Sequence, residues 1–217
     1  MAFRGWPAEA VEFYEGLEAD NSKAYWQDQK AVYEQAVRAP MEALLQQLEP
    51  EFGPGKIFRP YRDVRFSADK TPYKTAMGAV ASRGDAIHYV QLSAAGLFVG
   101  TGYYQLARDQ LTRFRAAVDA GTTGEELATT VARLEKAGYD VGGEALRTAP
   151  RGFPADHPRI RLLRHKGMYA GRALAVAPWL GTAKAADRVV RVWRDATPLN
   201  DWLAAHVGPS TEPERTR

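Results

Sequence analysis

The 217-residue chain contains no cysteine, which removes disulfides, thiolate nucleophiles and thiolate metal sites. Histidine is scarce. The four present are scattered, without H-x-x-x-H or H-E-x-x-H spacing, so no metal is expected. Long apolar runs are missing too, and none approaches the roughly 18–20 residues needed to cross a bilayer. The opening Met1-Ala2-Phe3-Arg4-Gly5-Trp6 lacks the apolar core of a secretory leader. The expectations are therefore no membrane partner and a cytoplasmic location. No G-x-S-x-G elbow, Walker loop or dinucleotide fingerprint occurs, so no cofactor is expected either. Gly53-Pro54-Gly55 reads as a turn and not as a phosphate loop.

What remains is an ordinary globular composition, 45% hydrophobic and 25% charged. The chain is long enough to bury roughly 70% of its unfolded surface. Its net charge of +3 is unevenly divided. Residues 59–74 hold five Lys/Arg against two Asp, which is +3, and residues 147–172 hold seven Lys/Arg against one Asp, which is +6. Everything else must then total −6. Clustered cations raise the local concentration of anions, so an anionic partner is expected unless acidic helices neutralise them.

Helical spacing opens the chain. Pro7–Leu17 reads as a first helix, and Asp20-Asn21-Ser22 offers cap chemistry for a second that holds Trp26, Tyr33 and Val37. Pro40 is expected to break or kink it. Strand alternation follows over Ile57–Ser67, with Arg62, Val64 and Phe66 on one face and Tyr61, Asp63, Arg65 and Ser67 on the other. Thr75–Ser82 reads as a small, apolar strand, and Ile87–Ser93 with Leu97–Tyr104 as a hairpin. Gly100 and Gly102 imply close approach of a helix or a ligand, or else a simple bulge. Helices are expected over 108–120 and from a Thr122-x-x-Glu125 capping box to Gly138, then from Thr182 and from Thr197-Pro198. Tyr139–Thr148 and Met168–Ala177 read as further strands, and residues 208–217 as a disordered tail. Strands grouped between helical sections indicate an α+β fold. The expectation is one domain over 1–207, with a mostly antiparallel sheet of about five to seven strands packed by helices from both ends of the chain.

The densest chemistry lies in Arg59–Thr75. Asp63 and Arg65 stand two apart and can pair, while Asp69-Lys70-Thr71-Pro72 is turn chemistry. Arg62, Arg65, Ser67, Lys70, Tyr73 and Lys74 are the candidate anion contacts, joined from the second basic segment by Arg151 and Lys166. Arginine offers a fork to a phosphate or carboxylate, lysine a mobile point charge. Asp63, Asp69 and His157 are the only candidates for a general base, with Tyr61 or Tyr73 as helper. Asp156 is expected to cap a helix, with His157 filling space at its start.

The run Tyr61-Arg-Asp-Val-Arg-Phe-Ser-Ala-Asp-Lys-Thr-Pro-Tyr-Lys-Thr75 resembles the signature of domain of unknown function 2461. Asn21 with Trp26, Lys30 and Tyr33 is similar too, as are Gly100-x-Gly102-Tyr103, Pro150-Arg151-Gly152-Phe153, and Asp156-His157-Pro158 followed by Leu163-Arg164-x-Lys166. The likeness spans about residues 3–207. This chain departs at Asp20-Asn21-Ser22-Lys23, where such sequences carry more asparagine. The resemblance implies one domain and carries over no catalytic residues. Four readings stand: a module binding a phosphorylated small molecule or nucleotide; second, a nucleic-acid-binding protein; third, a hydrolase or transferase acting on a phosphorylated substrate; fourth, a purely structural interaction domain, should the cations all pair internally.

Overall fold

The computed structural model describes residues 2–65 and 68–212. It is α+β, with one six-stranded antiparallel sheet in the order β1-β2-β3-β4-β6-β5. The strands are β1 (Gly55–Ile57), β2 (Ala76–Arg83), β3 (Ala86–Ser93), β4 (Gly96–Tyr103), β5 (Asp140–Gly142) and β6 (Met168–Ala175). No helix among the described residues is long and apolar enough to cross a membrane. Contacts group the chain into two compact units. One comprises residues 1–83, 88–99 and 173–191, the other 84–87, 100–172 and 192–217.

In the first unit, Pro7 sits just before α1 (Ala8–Ala19), which buries Ala10, Phe13, Tyr14 and Leu17. The Ser22 hydroxyl accepts from Tyr25 N–H at 3.1 Å and starts α2 (Lys23–Asp28). After the one turn of α3 (Lys30–Val32), Pro40 does not break the helix as expected. Residues Tyr33–Arg38 form a π-helical stretch in which Ala39 N–H reaches back to Glu34 O. Pro40 then falls at the start of α4 (Ala39–Phe52), directly after the π-helical stretch, whose wider turn accommodates the missing N–H. Met41, Leu44, Leu45 and Leu48 turn inward from α4.

The expected strand over Ile57–Ser67 is overturned. Strand β1 pairs with β2 as far as Ile57↔Ala79, and Phe58 N–H still reaches Gly78 O. By Tyr61↔Tyr73 the register has moved by two residues. Pro60 has no N–H to continue the ladder, and residues 58–65 become one arm of a loop. Phe66 and Ser67 lie outside the described residues.

In the second unit, α5 (Arg108–Asp119) and α6 (Gly121–Lys136) bury Phe114, Val118, Leu127, Val131 and Leu134. The Thr122–Glu125 capping box does not form: α6 begins at Gly121, and the Thr123 hydroxyl donates to Ala117 O at 2.6 Å. The approach inferred at Gly102 comes from a strand backbone, since a Cβ there would lie 2.4 Å from Met168 O. Helix α7 (Ile160–Leu163) is short. Helix α8 (Lys184–Asp195) contributes to both units, and α9 (Thr197–His206) closes the second. The tail expected from residue 208 is tied down as far as Glu212. Arg113 donates to Val207 O and Pro209 O, and Asp109 accepts from the Ser210 hydroxyl and Thr211 N–H. Residues 213–217 lie outside the described residues.

Candidate functional site

The motif 59–75 is a loop pinched at its neck. Arg62 N–H donates to Pro72 O at 2.9 Å, and Lys74 N–H to Pro60 O at 2.8 Å, with the Tyr61↔Tyr73 bridge between them. Asn21, from the α1–α2 connection, closes the neck from outside. Its Oδ1 accepts from Tyr73 N–H at 3.0 Å, and its Nδ2 donates to Tyr73 O at 3.1 Å. One side-chain amide thus satisfies both backbone groups of one residue, a role that spacing along the chain does not reveal.

Within the loop the carboxylates are taken. Asp63 accepts from Arg65 through both oxygens, at 2.9 and 2.6 Å. The Arg65 hydrogen bonds hold its carboxyl near pKa 2. Asp69 accepts from the Thr71 N–H and hydroxyl at 2.9 and 2.7 Å and pairs with Arg62. Those Thr71 bonds come first among the causes that lower its pKa. Each aspartate is a stabilised anion, the wrong state of poise for a base working near neutral pH. Lys70 Nζ donates to Val64 O at 3.0 Å across the loop. Lys74 Nζ stands 5.9 Å from the centre of the Phe58 ring. Arg59 is exposed.

Aromatic packing supports the neck. The rings of Trp26 and Tyr73 stack 4.3 Å apart at 7°, and both residues are 5% exposed. Tyr33, from the π-helical stretch, packs 4.7 Å from Trp26, and burial pushes its hydroxyl up to about 12. Tyr61 leans on this pile, 5.5 Å from Tyr73 and 6.0 Å from Trp26, yet is 50% exposed. Tyr73 is therefore a packing residue at the loop's base, unlike the surface contact expected of it. Trp26 is core, and Tyr61 alone carries this pile to solvent.

The second basic segment is arranged differently. Arg159, with 16% of its side chain exposed, donates to Val118 O at 2.7 Å and to Asp119 O at 2.8 Å. It thereby caps the C-terminal end of α5. Gly124 makes room, since a Cβ there would lie 2.5 Å from Arg159 Nε. Arg161 forks onto Glu135 at 2.6 and 3.2 Å, and Lys166 pairs with Glu144. Arg151 is exposed in a turn. His157, not Asp156, ties down the start of the short helix. Its Nδ1 accepts from Arg159 N–H at 3.0 Å, so Nε2 carries the proton and donates to Asp119 at 3.1 Å. With both ring nitrogens engaged, His157 is a strut rather than a poised base.

A family model described as "Conserved hypothetical protein (DUF2461)" matches residues 9–202. The chain belongs to that family. No curated protein and no solved structure matches it. A cleft of about 340 Å³ between α4 and β1 is lined by Arg38, Glu42, Leu45, Glu49 and Ile57 among others, and by none of the candidate anion contacts. Arg38 there is bonded to Glu42 at 2.9 Å and lies 3.6 Å from Glu34. Among the described residues, no group of three or more His, Asp or Glu comes together as a metal site would require.

Proposed function

We propose that this DUF2461 protein is a binding module for a phosphate-containing small molecule or nucleotide, engaged by the cations of loop 59–74. The charge balance of the loop carries the reading. Its two carboxylates are matched to Arg62 and Arg65, whereas Arg59, Lys70 and Lys74 form no ion pair with a carboxylate among the described residues, Arg59 acting on Asp63 only from a distance. Three like charges on a stapled loop repel one another unless an anion sits among them. Lys70 and Lys74 are the principal contacts in this reading, with Arg59 as a third. Arg62 and Arg65 orient the loop through their aspartates and can fork to the same anion. Arg151 and Lys166 are left out of it.

Catalysis has less support, because Asp63, Asp69 and His157 are each committed to structural bonds. We place the module in the cytoplasm on its cysteine-free composition. The test is a thermal-shift titration with ribose phosphate, nucleotides and short oligonucleotides at low and high salt. A ligand at 100 times its dissociation constant adds about 2.7 kcal/mol of stability. Lys70→Ala and Lys74→Ala should remove that shift. Full retention of the shift in both variants refutes the site.

A further inference from the structure

Tyr61 is the more exposed of two exposed rings in the loop region, and the other, Phe58 at 37%, has Lys74 Nζ 5.9 Å from its ring centre. Tyr61 is 50% exposed, while the residues it rests on are fixed: Trp26 and Tyr73 are stacked and buried, and Tyr33 lies behind Trp26. Its backbone is held on both sides, by Arg62 N–H to Pro72 O and by Lys74 N–H to Pro60 O, and Asn21 clamps Tyr73 opposite. The outer surface of the Tyr61 ring is thus presented to solvent by a rigid base, so ordering it on binding loses little conformational entropy. The flanking chain is basic: Phe58-Arg59-Pro60-Tyr61-Arg62, with Lys74 opposite Pro60.

We infer that Tyr61 is a stacking platform for a nucleobase, so that the ligand of this loop is a single nucleotide, its phosphate held by the loop cations and its base laid on the tyrosine ring. The inference rests on the anion-binding reading and adds the chemical class of the ligand. Charge complementarity selects the phosphate. The exposed ring selects a planar group attached to it, because every base has a π-face that stacks on an aromatic side chain. One exposed ring of the pile matches one base. A longer strand would require a row of such rings along a basic groove.

The experiment compares AMP with ribose phosphate, which differ by the base alone, by calorimetric titration of the full chain. The wild type should bind AMP roughly tenfold more tightly, the size of a single stacking contact. Tyr61→Ala should bind the two equally, with its affinity for ribose phosphate unchanged, and Tyr61→Phe should restore the preference. Melting curves of both variants establish that they are folded, and Tyr61→Phe keeps the test open if Tyr61→Ala is not. Equal binding of AMP and ribose phosphate by the wild type overturns the stacking role and leaves the phosphate site standing. Binding of neither overturns both. A short single-stranded oligothymidylate should bind within tenfold of AMP. Much tighter binding that collapses steeply with salt would overturn the single-nucleotide assignment in favour of a nucleic acid.

Discussion

Residues 59–74 and 147–172 are alike in composition and unlike in use. In the first, ion pairs form within the loop itself, Asp63 with Arg65 and Arg62 with Asp69, and three cations form no ion pair among the described residues. In the second, the partners come from far along the chain. Arg159 reaches carbonyls about forty residues away, Arg161 finds Glu135, and Lys166 finds Glu144. A basic run is therefore not evidence of a ligand in itself. What matters is whether folding delivers acceptors to it. In 147–172 Arg159, Arg161 and Lys166 are mortar between elements, whereas in 59–74 the ion pairs stay inside one pinned loop.

The contrast is sharpest where a cation is structural. Arg159→Ala should destabilise the protein by about 2–3 kcal/mol, because it strands carbonyl oxygens at the end of α5 and removes charge-assisted bonds. The denaturant midpoint measures this, and a loss below about 0.5 kcal/mol would break the distinction between the segments. Asn21→Ala comes next. It leaves both backbone groups of Tyr73 unpaired in a part-buried neck and should cost about 1–2 kcal/mol. Unlike Arg159→Ala, it should also expose loop 59–74 to limited proteolysis.

Smaller still is the effect on stability of removing Lys70 and Lys74. The double alanine variant should melt within about 0.5 kcal/mol of the wild type, while its affinity for ribose phosphate falls by about tenfold or more. A large stability loss would make these lysines structural, as in the second segment. The smallest effect follows from pH. The carboxyl of Asp63 is lowered to about 2 in the folded protein by its Arg65 hydrogen bonds. Its folded pKa lies below the unfolded value, so its contribution is present above about pH 4 and is lost as pH falls toward 2. An NMR titration of the side-chain carboxyl carbons should find Asp63 among the last to protonate, and Arg65→Ala should return it to the ordinary range.

Part of this was legible in the chain. Ser22 caps its helix as its type and position require. Strands β2, β3 and β4 lie close to the expected Thr75–Ser82, Ile87–Ser93 and Leu97–Tyr104. The Asp63–Arg65 and Asp69–Thr71 contacts join residues two apart, so local spacing is enough to expect them. Other features were not. The arm 58–65 alternates like a strand, yet its partner is its own returning arm. Asn21 looks like cap material, and only the fold brings it to Tyr73, fifty-two residues on.

The sequence by itself determined the α+β class, the segregation of charge, the turn chemistry of Asp69–Pro72 and the Ser22 cap, because each depends on groups within a few residues of one another. Tertiary structure alone decided that Tyr73 is buried and Tyr61 exposed, that His157 is a strut, and which arginines are consumed in packing. Those outcomes depend on which distant carbonyl, carboxylate or ring arrives at a side chain, and that is settled only when the chain closes on itself.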